Sequence, residues 1–489
     1  MFLNKGKTPK GTVNLVTEFQ AVILAGRPSG WGSLDAITDD SELKAEHNIP
    51  KAALPVAGKP MIHYQLAWLE AAKVQSVLVL CPQGSKNEIQ AQLQKYAGSS
   101  DALKFKLICT NHGEGTADAL RQIHDEIKSD FIVMSCDVIT DLPAHHLIDL
   151  HRIHAPAVTT LMYESMQVEG AAPSKGDGYA EYIGIDMEKG RLVFAAPQDT
   201  MRFQPPMLRK FPRVRMYTNL RDSHVYIFQR WVLDVIVNDT TISSIRKDLI
   251  QRLLRSQYSE TARIKLGIND FITSEPDPFY QASLLSTTNS RGTKQLLKLK
   301  PRKGGDERES VTEEASGTEE TGGKEEKDVK EDPATKEVVC ATVICRDAFC
   351  ARANTIGSYG EINRQRAQVA RAAQSATTTD IKAKQAQIGP DSIIESEQIG
   401  ERCSVKKSVI GKHCTIGKNV KIVNSIIMDH VVIEDFVKLD KCVVSMNAQI
   451  LANSQLKECE VGPKIVIDKG TIRTGEQFVL SHFLDIDEA

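Results

Sequence analysis

The stretch SVIGKHCTIGKNVKIVNSIIMDHVVIEDFVKLDKCVV, residues 408–444, carries aliphatic side chains at intervals of five, six and six residues. The register continues outward on both sides: Ile388, Ile393, Ile399, Val405, Ile410, Ile416, Ile422, Ile427, Ile433, Leu439, Val444, Ile450, Leu456 and Val461 fill fourteen slots with none missed. Three steps sum to seventeen residues, so Ile393, Ile410, Ile427, Val444 and Val461 repeat with that period. A helix would place apolar residues at i, i+3, i+4 and i+7, and an amphipathic strand would alternate them. Steps of five or six instead fit a solenoid that turns a corner after each short strand. The residue four after a slot is mostly small or aliphatic (Ser392, Cys403, Cys414, Val420, Val431, Val437, Val443, Ala448), which predicts two inward residues per face of a triangular β-helix. The reading places this domain at 387–470, with Ile399, Ile410, Ile416, Ile427, Ile433, Val444 and Ile450 in its core and 471–489 as a tail. Such a stack leaves flat outer faces, suited to docking or to acyl transfer.

The 489 residues exceed one ordinary core, and two or three domains are expected. A hydrophobic content of 41% with 25% charged residues belongs to a globular chain, and a net charge of −2 gives no reason to expect nucleic-acid or membrane binding. The N-terminus has no secretory apolar core, and no run is long enough to span a bilayer. Ten cysteines are scattered without CxxC pairs; the even spacing of Cys340, Cys345 and Cys350 reads as a strand entering a buried layer rather than a metal site. Unpaired buried thiols point to a reducing cytosol.

Residues 1–18 read as a flexible tail. From Phe19 short apolar runs, FQAVILAG (19–26), VQSVLVLC (74–81), KFKLIC (104–109) and FIVMSCD (131–137), alternate with the helical stretches 61–74, 86–96 and 115–127. That alternation predicts a parallel sheet covered on both faces, over 19–270. A further helix, ISSIRKDLIQRLLRSQ, is expected at 242–257. Residues 271–335 break the pattern. From Asp306 to Asp332 twelve acidic residues face four basic ones, a net of −8, so this insert is expected to be disordered. Residues 336–386 then read as connecting strands and a helix.

The first strand with its glycine, and PKAALPVAGKPMI at 50–62, resemble the nucleotidyltransferases that make nucleotide-sugars. Their pattern is a Leu-Ala-Gly-Gly-x-Gly-Thr-Arg-Leu loop, then Pro-Lys, then Pro-Val-x-Gly-Lys-Pro. The loop N–H groups approach a triphosphate, the arginine and lysine offset its charge, and a later aspartate holds magnesium. In this chain Ala25, Gly26 and Lys51 are kept, Asp137 in SCDVITD stands at the metal position, and GTADALR starts at Gly115. Arg27 replaces the second glycine, Gly32-Ser33-Leu34 replaces Gly-Thr-Arg-Leu, and Asp35, Asp39, Asp40, Glu42 and Glu46 would repel a triphosphate. Gly26, Arg27, Lys51, Gly115 and Asp137 are therefore read as a vestigial nucleotide pocket with no catalytic residue, no metal and no cofactor.

SCDVITD, SSIRKDLIQRLL, CARANTIGSYGEINRQ and residues 408–436 together resemble the gamma-subunit family of eukaryotic translation initiation factor 2B. The resemblance implies an α/β, Rossmann-like nucleotidyltransferase-like domain followed by a left-handed parallel β-helix of hexapeptide type. It implies a non-catalytic subunit that pairs with an epsilon subunit, which carries the exchange domain, and docks on alpha, beta and delta subunits. That complex recycles initiation factor 2 from its GDP- to its GTP-bound form. The roughly twenty residues after the last coil, GTIRTGEQFVLSHFLDIDEA, are expected to leave no room in this sequence for an exchange domain of its own. The rival readings are an active sugar-phosphate nucleotidyltransferase, an acyltransferase using His413 or His430 on the solenoid, and a pocket retained as a ligand sensor.

Overall fold

The computed structural model describes residues 18–26, 34–38, 49–98, 103–110, 115–164, 181–197, 204–269, 337–374, 387–389, 392–396 and 398–479. Arg27, the acidic stretch 39–46, the tail before Glu18 and the insert 271–335 lie outside them.

Strand β1 (Phe19–Leu24) is apolar almost throughout because both faces of its sheet are covered. Ala21 and Ile23 join one buried cluster and Val22 the other, the alternation that a pleated strand imposes. The hairpin β2 (Pro55–Val56) and β3 (Lys59–Pro60) follows, and then β4 (Ser76–Pro82), β5 (Lys104–Thr110) and β6 (Asp130–Ser135) alternate with the helices Met61–Ala71, Lys86–Ala97 and Thr116–Gln122. β1 runs parallel between β4 and β6. After β7 (Val138–Thr140) come β8 (Val158–Glu164), β9 (Glu181–Asp186), β10 (Arg191–Pro197), β11 (Val214–Tyr217) and β12 (Leu220–Phe228).

The residues read as a connector begin inside this sheet. β13 (Cys340–Cys345) lies parallel beside β8, pairing Cys340 with Val158 through to Cys345 with Tyr163. The ten-stranded order is β11-β9-β10-β13-β8-β12-β6-β1-β4-β5. The first domain is therefore completed only after the insert, and the apolar run VVCATVIC is a sheet interior. β14 (Cys350–Arg352) then pairs antiparallel with β7, and the helix Ile356–Gln374 follows. The helix expected at 242–257 begins as a wide turn, Ile245–Leu249, capped where Ser244 Oγ accepts from Lys247 N at 3.2 Å, and becomes α-helical over Ile250–Ser256.

Among the described residues the solenoid contains seventeen short strands, β15 (Gln387–Ile388) to β31 (Gln477–Phe478), in three parallel sheets of six, six and five strands. Register steps are seventeen residues throughout except the first in one sheet: Ile399, Ile416, Ile433 and Ile450 stack in one column, Ile410, Ile427 and Val444 in another. Below Ile410 the step is sixteen, so Ile394 and not the expected Ile393 takes the inward slot, and Ile393 pairs with the outward Val409. The second inward residue lies two before each slot, which corrects the four-after rule at the short step. There Cys442 faces the core and Val443 faces outward. The five-residue corner carries a serine ladder, in which Ser425 N donates to Ser408 Oγ and Cys442 N to Ser425 Oγ, each at 3.1 Å. All three corners place a residue at positive φ, including Asn419, Asn424, Asn447, Asn453 and the exposed Phe436. The left-handed region costs a non-glycine residue about 1–2 kcal/mol, least for asparagine. Coils continue past residue 470: Ile472–Thr474 pairs with Gln455–Lys457 and Gln477–Phe478 with Glu460–Val461. The aliphatic register gave no sign of this because Arg473 takes the slot above Leu456.

One solenoid face is covered. Ile426, Met428 and Val443 pack outward against Leu54, Val56 and Met61, together with Tyr359 of the long helix and Leu34 and Ile37. Asn363 Oδ1 of the long helix accepts from Ala57 N of the hairpin at 2.9 Å, tying together two of the elements that cover this face. The PVAGKP hairpin thus serves as a docking surface for the solenoid. One coil further along the same face stands Glu460, whose Oε2 has no hydrogen-bond partner and whose carboxyl burial pushes up to about 7. An acid raised in the folded state lowers stability as pH rises from the unfolded value, near 4.5, to the folded one. Glu460→Gln is expected to raise stability by about 1–2 kcal/mol above pH 7 and to change nothing below pH 4.5, which denaturation at the two pH values would measure. Equal effects at both would reject this assignment.

Candidate functional site

β1 ends at Leu24, and Ala25 and Gly26 of the loop read as the old pocket follow it. Ala25 N donates to Leu80 O at 2.8 Å, and Gly26 follows with open space around the position its Cβ would take. Lys51 opens a short turn, Lys51–Ala53, that carries its side chain inward, where it is 8% exposed. Asp137 sits between β6 and β7 and is 0% exposed. The two meet: Lys51 Nζ lies 2.5 Å from Asp137 Oδ2.

A third group completes the cluster, and sequence reading missed it. Arg352, at the end of β14, donates from Nε to Asp137 Oδ1 at 3.1 Å and from Nη2 to Oδ2 at 2.8 Å. Ala353 N donates to Asp137 O at 2.8 Å, fixing the strand at this point. Burial alone would raise the Asp137 carboxyl, but Arg352 and then Lys51 outweigh it and hold it well below the usual carboxylate range. Burial likewise opposes the charge on Arg352, and Asp137 more than restores it. CARAN is visible in the sequence, yet 215 residues separate Arg352 from Asp137, and no local pattern couples them.

Beside β6 in the same sheet, β12 carries an irregularity between Asp222 and Tyr226 where its register with β8 shifts. His224 there has φ 57°, and its Nε2 is buried without a hydrogen-bond partner. Burial, aided by Arg352, depresses its pKa well below the ordinary histidine value, so the ring is neutral. The Tyr226 hydroxyl donates to Asp222, whose carboxyl burial raises, and Arg246 pairs with Glu181. Buried polar groups therefore surround this part of the sheet.

Gly115 has a packing role. It caps the helix Thr116–Gln122, its N–H donating to Asp118 Oδ2 at 3.0 Å, and a Cβ there would lie 2.2 Å from the Ser243 carbonyl oxygen. Gly115→Ala should therefore cost about 1–3 kcal/mol through overpacking, read as a lowered denaturation midpoint. An unchanged midpoint would mean that the 243 loop yields freely. Arg27 lies outside the described residues. On the solenoid His413 and His430 stack upon each other, ring centroids 5.0 Å apart, at two left-handed corners. Among the described residues no group of three or more His, Cys, Asp or Glu side chains is placed to hold a metal, and no helix is long and apolar enough to cross a membrane.

Comparisons with known proteins match the two halves of this architecture. A nucleotidyl transferase family model matches residues 46–175, and a model described as the eIF2B subunit epsilon LbH domain matches residues 375–472. The translation initiation factor eIF2B subunit gamma of Schizosaccharomyces pombe is 31% identical over 99% of this chain and 95% of its own length. That of Dictyostelium discoideum is 30% identical over 59% of this chain and 71% of its own length. The epsilon subunit of Dictyostelium discoideum is 26% identical over 42% of this chain but only 30% of its own length. Full-length similarity thus falls on the gamma side of two paralogous families, and the chain belongs to the gamma-subunit family of translation initiation factor eIF2B.

Proposed function

We propose that this chain is a non-catalytic subunit of the guanine nucleotide exchange complex that recycles initiation factor 2 in the cytosol. In this reading it pairs with an epsilon subunit, and the pair joins alpha, beta and delta subunits. The observation that carries the non-catalytic part is the pairing of Asp137. A carboxylate that holds magnesium for phosphoryl chemistry keeps oxygens free for the ion. Both oxygens of Asp137 are engaged by Arg352, one of them also by Lys51, and the group is fully buried. The lysine that would stabilise a leaving phosphate is spent on the same ion pair. Full-length similarity to the gamma subunit supports the assignment to the complex.

Two assays test the reading. Co-expressed with an epsilon-type paralogue, the chain should co-purify as a stoichiometric pair, whose interface should bury well over 1,000 Å². Incubated alone with magnesium, nucleoside triphosphates and sugar phosphates, it should release no pyrophosphate. Release that Lys51→Ala abolishes would install the active nucleotidyltransferase instead.

A further inference from the structure

The spacing of Cys340, Cys345 and Cys350 is a sequence feature that the proposed function leaves unused. Cys340 lies deep in the ten-stranded sheet as part of β13. Cys345 and Cys350 instead bracket a four-residue loop, Arg346 to Phe349, that joins β13 to β14. The loop folds back on itself: Cys345 Sγ lies 3.1 Å from the Ala348 carbonyl oxygen, and Cys345 and Cys350, at its two ends, are buried in the same cluster. Both thiols are covered, at 4% and 5% exposure, yet Arg346 and Asp347 at the loop tip are exposed.

We propose that Cys345 and Cys350 form a redox-active dithiol, oxidised by hydroperoxides to an intrachain disulfide that staples β13 to β14. The two thiols are unequal in the way such a reaction uses. The neighbouring Cys350 thiol lowers the Cys345 pKa, and the same neighbour, with burial, raises that of Cys350. Cys345 is the attacking sulfur. Its thiolate attacks one peroxide oxygen, the O–O bond breaks, and the sulfur becomes a sulfenic acid while the other oxygen leaves with a proton as water or alcohol. The Cys350 sulfur then displaces the sulfenic oxygen as water. Two thiols and one hydroperoxide give one disulfide, one water and one water or alcohol. Cytosolic thiols reverse the step by exchange. The staple lies where it has mechanical consequences, since Phe349 O accepts from Asp141 N at 2.9 Å, Arg366 of the long helix lies 4.0 Å over the Phe349 ring, and Arg352 is two residues beyond Cys350. Oxidation ties the sheet to the element that carries the Asp137 clamp and to the helix against the solenoid.

The test treats the reduced full-length chain with hydrogen peroxide, blocks free thiols, digests with trypsin without reduction and identifies linked peptides. Trypsin cuts after Arg346, so the bridge joins two otherwise separate peptides. The expected result is that Cys345 and Cys350 lose reactivity together and ahead of the other eight cysteines, with the link reversed by glutathione. Cys350→Ser should trap Cys345 as a sulfenic acid that a dimedone probe labels, and Cys345→Ser should abolish labelling at this loop. Oxidation that falls first on the neighbouring strand partners Cys81 and Cys109, or spreads evenly over all ten thiols, overturns the proposal. So does a Cys350→Ser chain that stays unlabelled.

Discussion

Replacing Ile433 by Asp is expected to destabilise the solenoid by about 3–5 kcal/mol, enough to make the chain insoluble or unable to assemble. Ile433 is 1% exposed and stacks between Ile416 and Ile450 of the neighbouring coils. A carboxylate there meets aliphatic side chains above and below and has no cation within the core. In a stack whose coils touch only their neighbours, damage to one coil also separates those on either side. Chemical denaturation of the soluble fraction would give the magnitude. Val432→Asp is the matched control, since Val432 points outward and is 37% exposed; it should cost little. Equal effects at the two positions would mean that the inward register is wrong.

Arg352→Met should produce the second large effect, about 3–5 kcal/mol, because it strips one partner from a buried ion cluster and leaves the Asp137 carboxylate with Lys51 alone. The pH dependence follows from the sign of the shift. Asp137 has a depressed folded pKa, so its contribution is complete above the unfolded carboxylate value, near 3.9, and is lost as pH falls through the lower folded value. The penalty of Arg352→Met is therefore largest at neutral pH and shrinks in acid. Asp137→Asn in the same chain should recover part of the loss at pH 7, since the buried charge is removed. If the double variant is as unstable as the sum of the single ones, the two residues are not coupled and Arg352 is not what offsets the buried Asp137 charge. The single variant carries a further readout: with Arg352 gone, Asp137 has an oxygen to offer a divalent cation, and manganese binding should appear in Arg352→Met and be absent from the parent chain.

The solenoid was legible because its signal is one-dimensional. A slot is either aliphatic or not, and from Ile399 onward each coil pairs with residues seventeen away, so sequence spacing and spatial register coincide there; only at Ile393, where the pairing step is sixteen, does the register slip by one residue. The second inward position was legible only in part, since at the five-residue step an offset counted from the preceding slot lands on Val443 instead of Cys442. What covers the solenoid was not legible. Ile426 and Val443 look like any other strand residues until Leu54, Val56 and Met61 meet them from a domain far earlier in the chain. The candidate site divided the same way. Lys51 and Asp137 stand in local motifs and do meet, whereas Arg352 joins them through β14, on the far side of an insert that hides the continuity of the sheet. His224 was passed over because a lone histidine in a strand carries no signal until its positive φ and buried ring nitrogen are seen.

Native mass spectrometry of the endogenously tagged chain, purified at low salt, tests the central claim most directly. The account predicts a large assembly containing a longer epsilon-type paralogue and three further subunits, with this chain present in equal number to that paralogue. A monomer, or a homo-oligomer free of those partners, would contradict it.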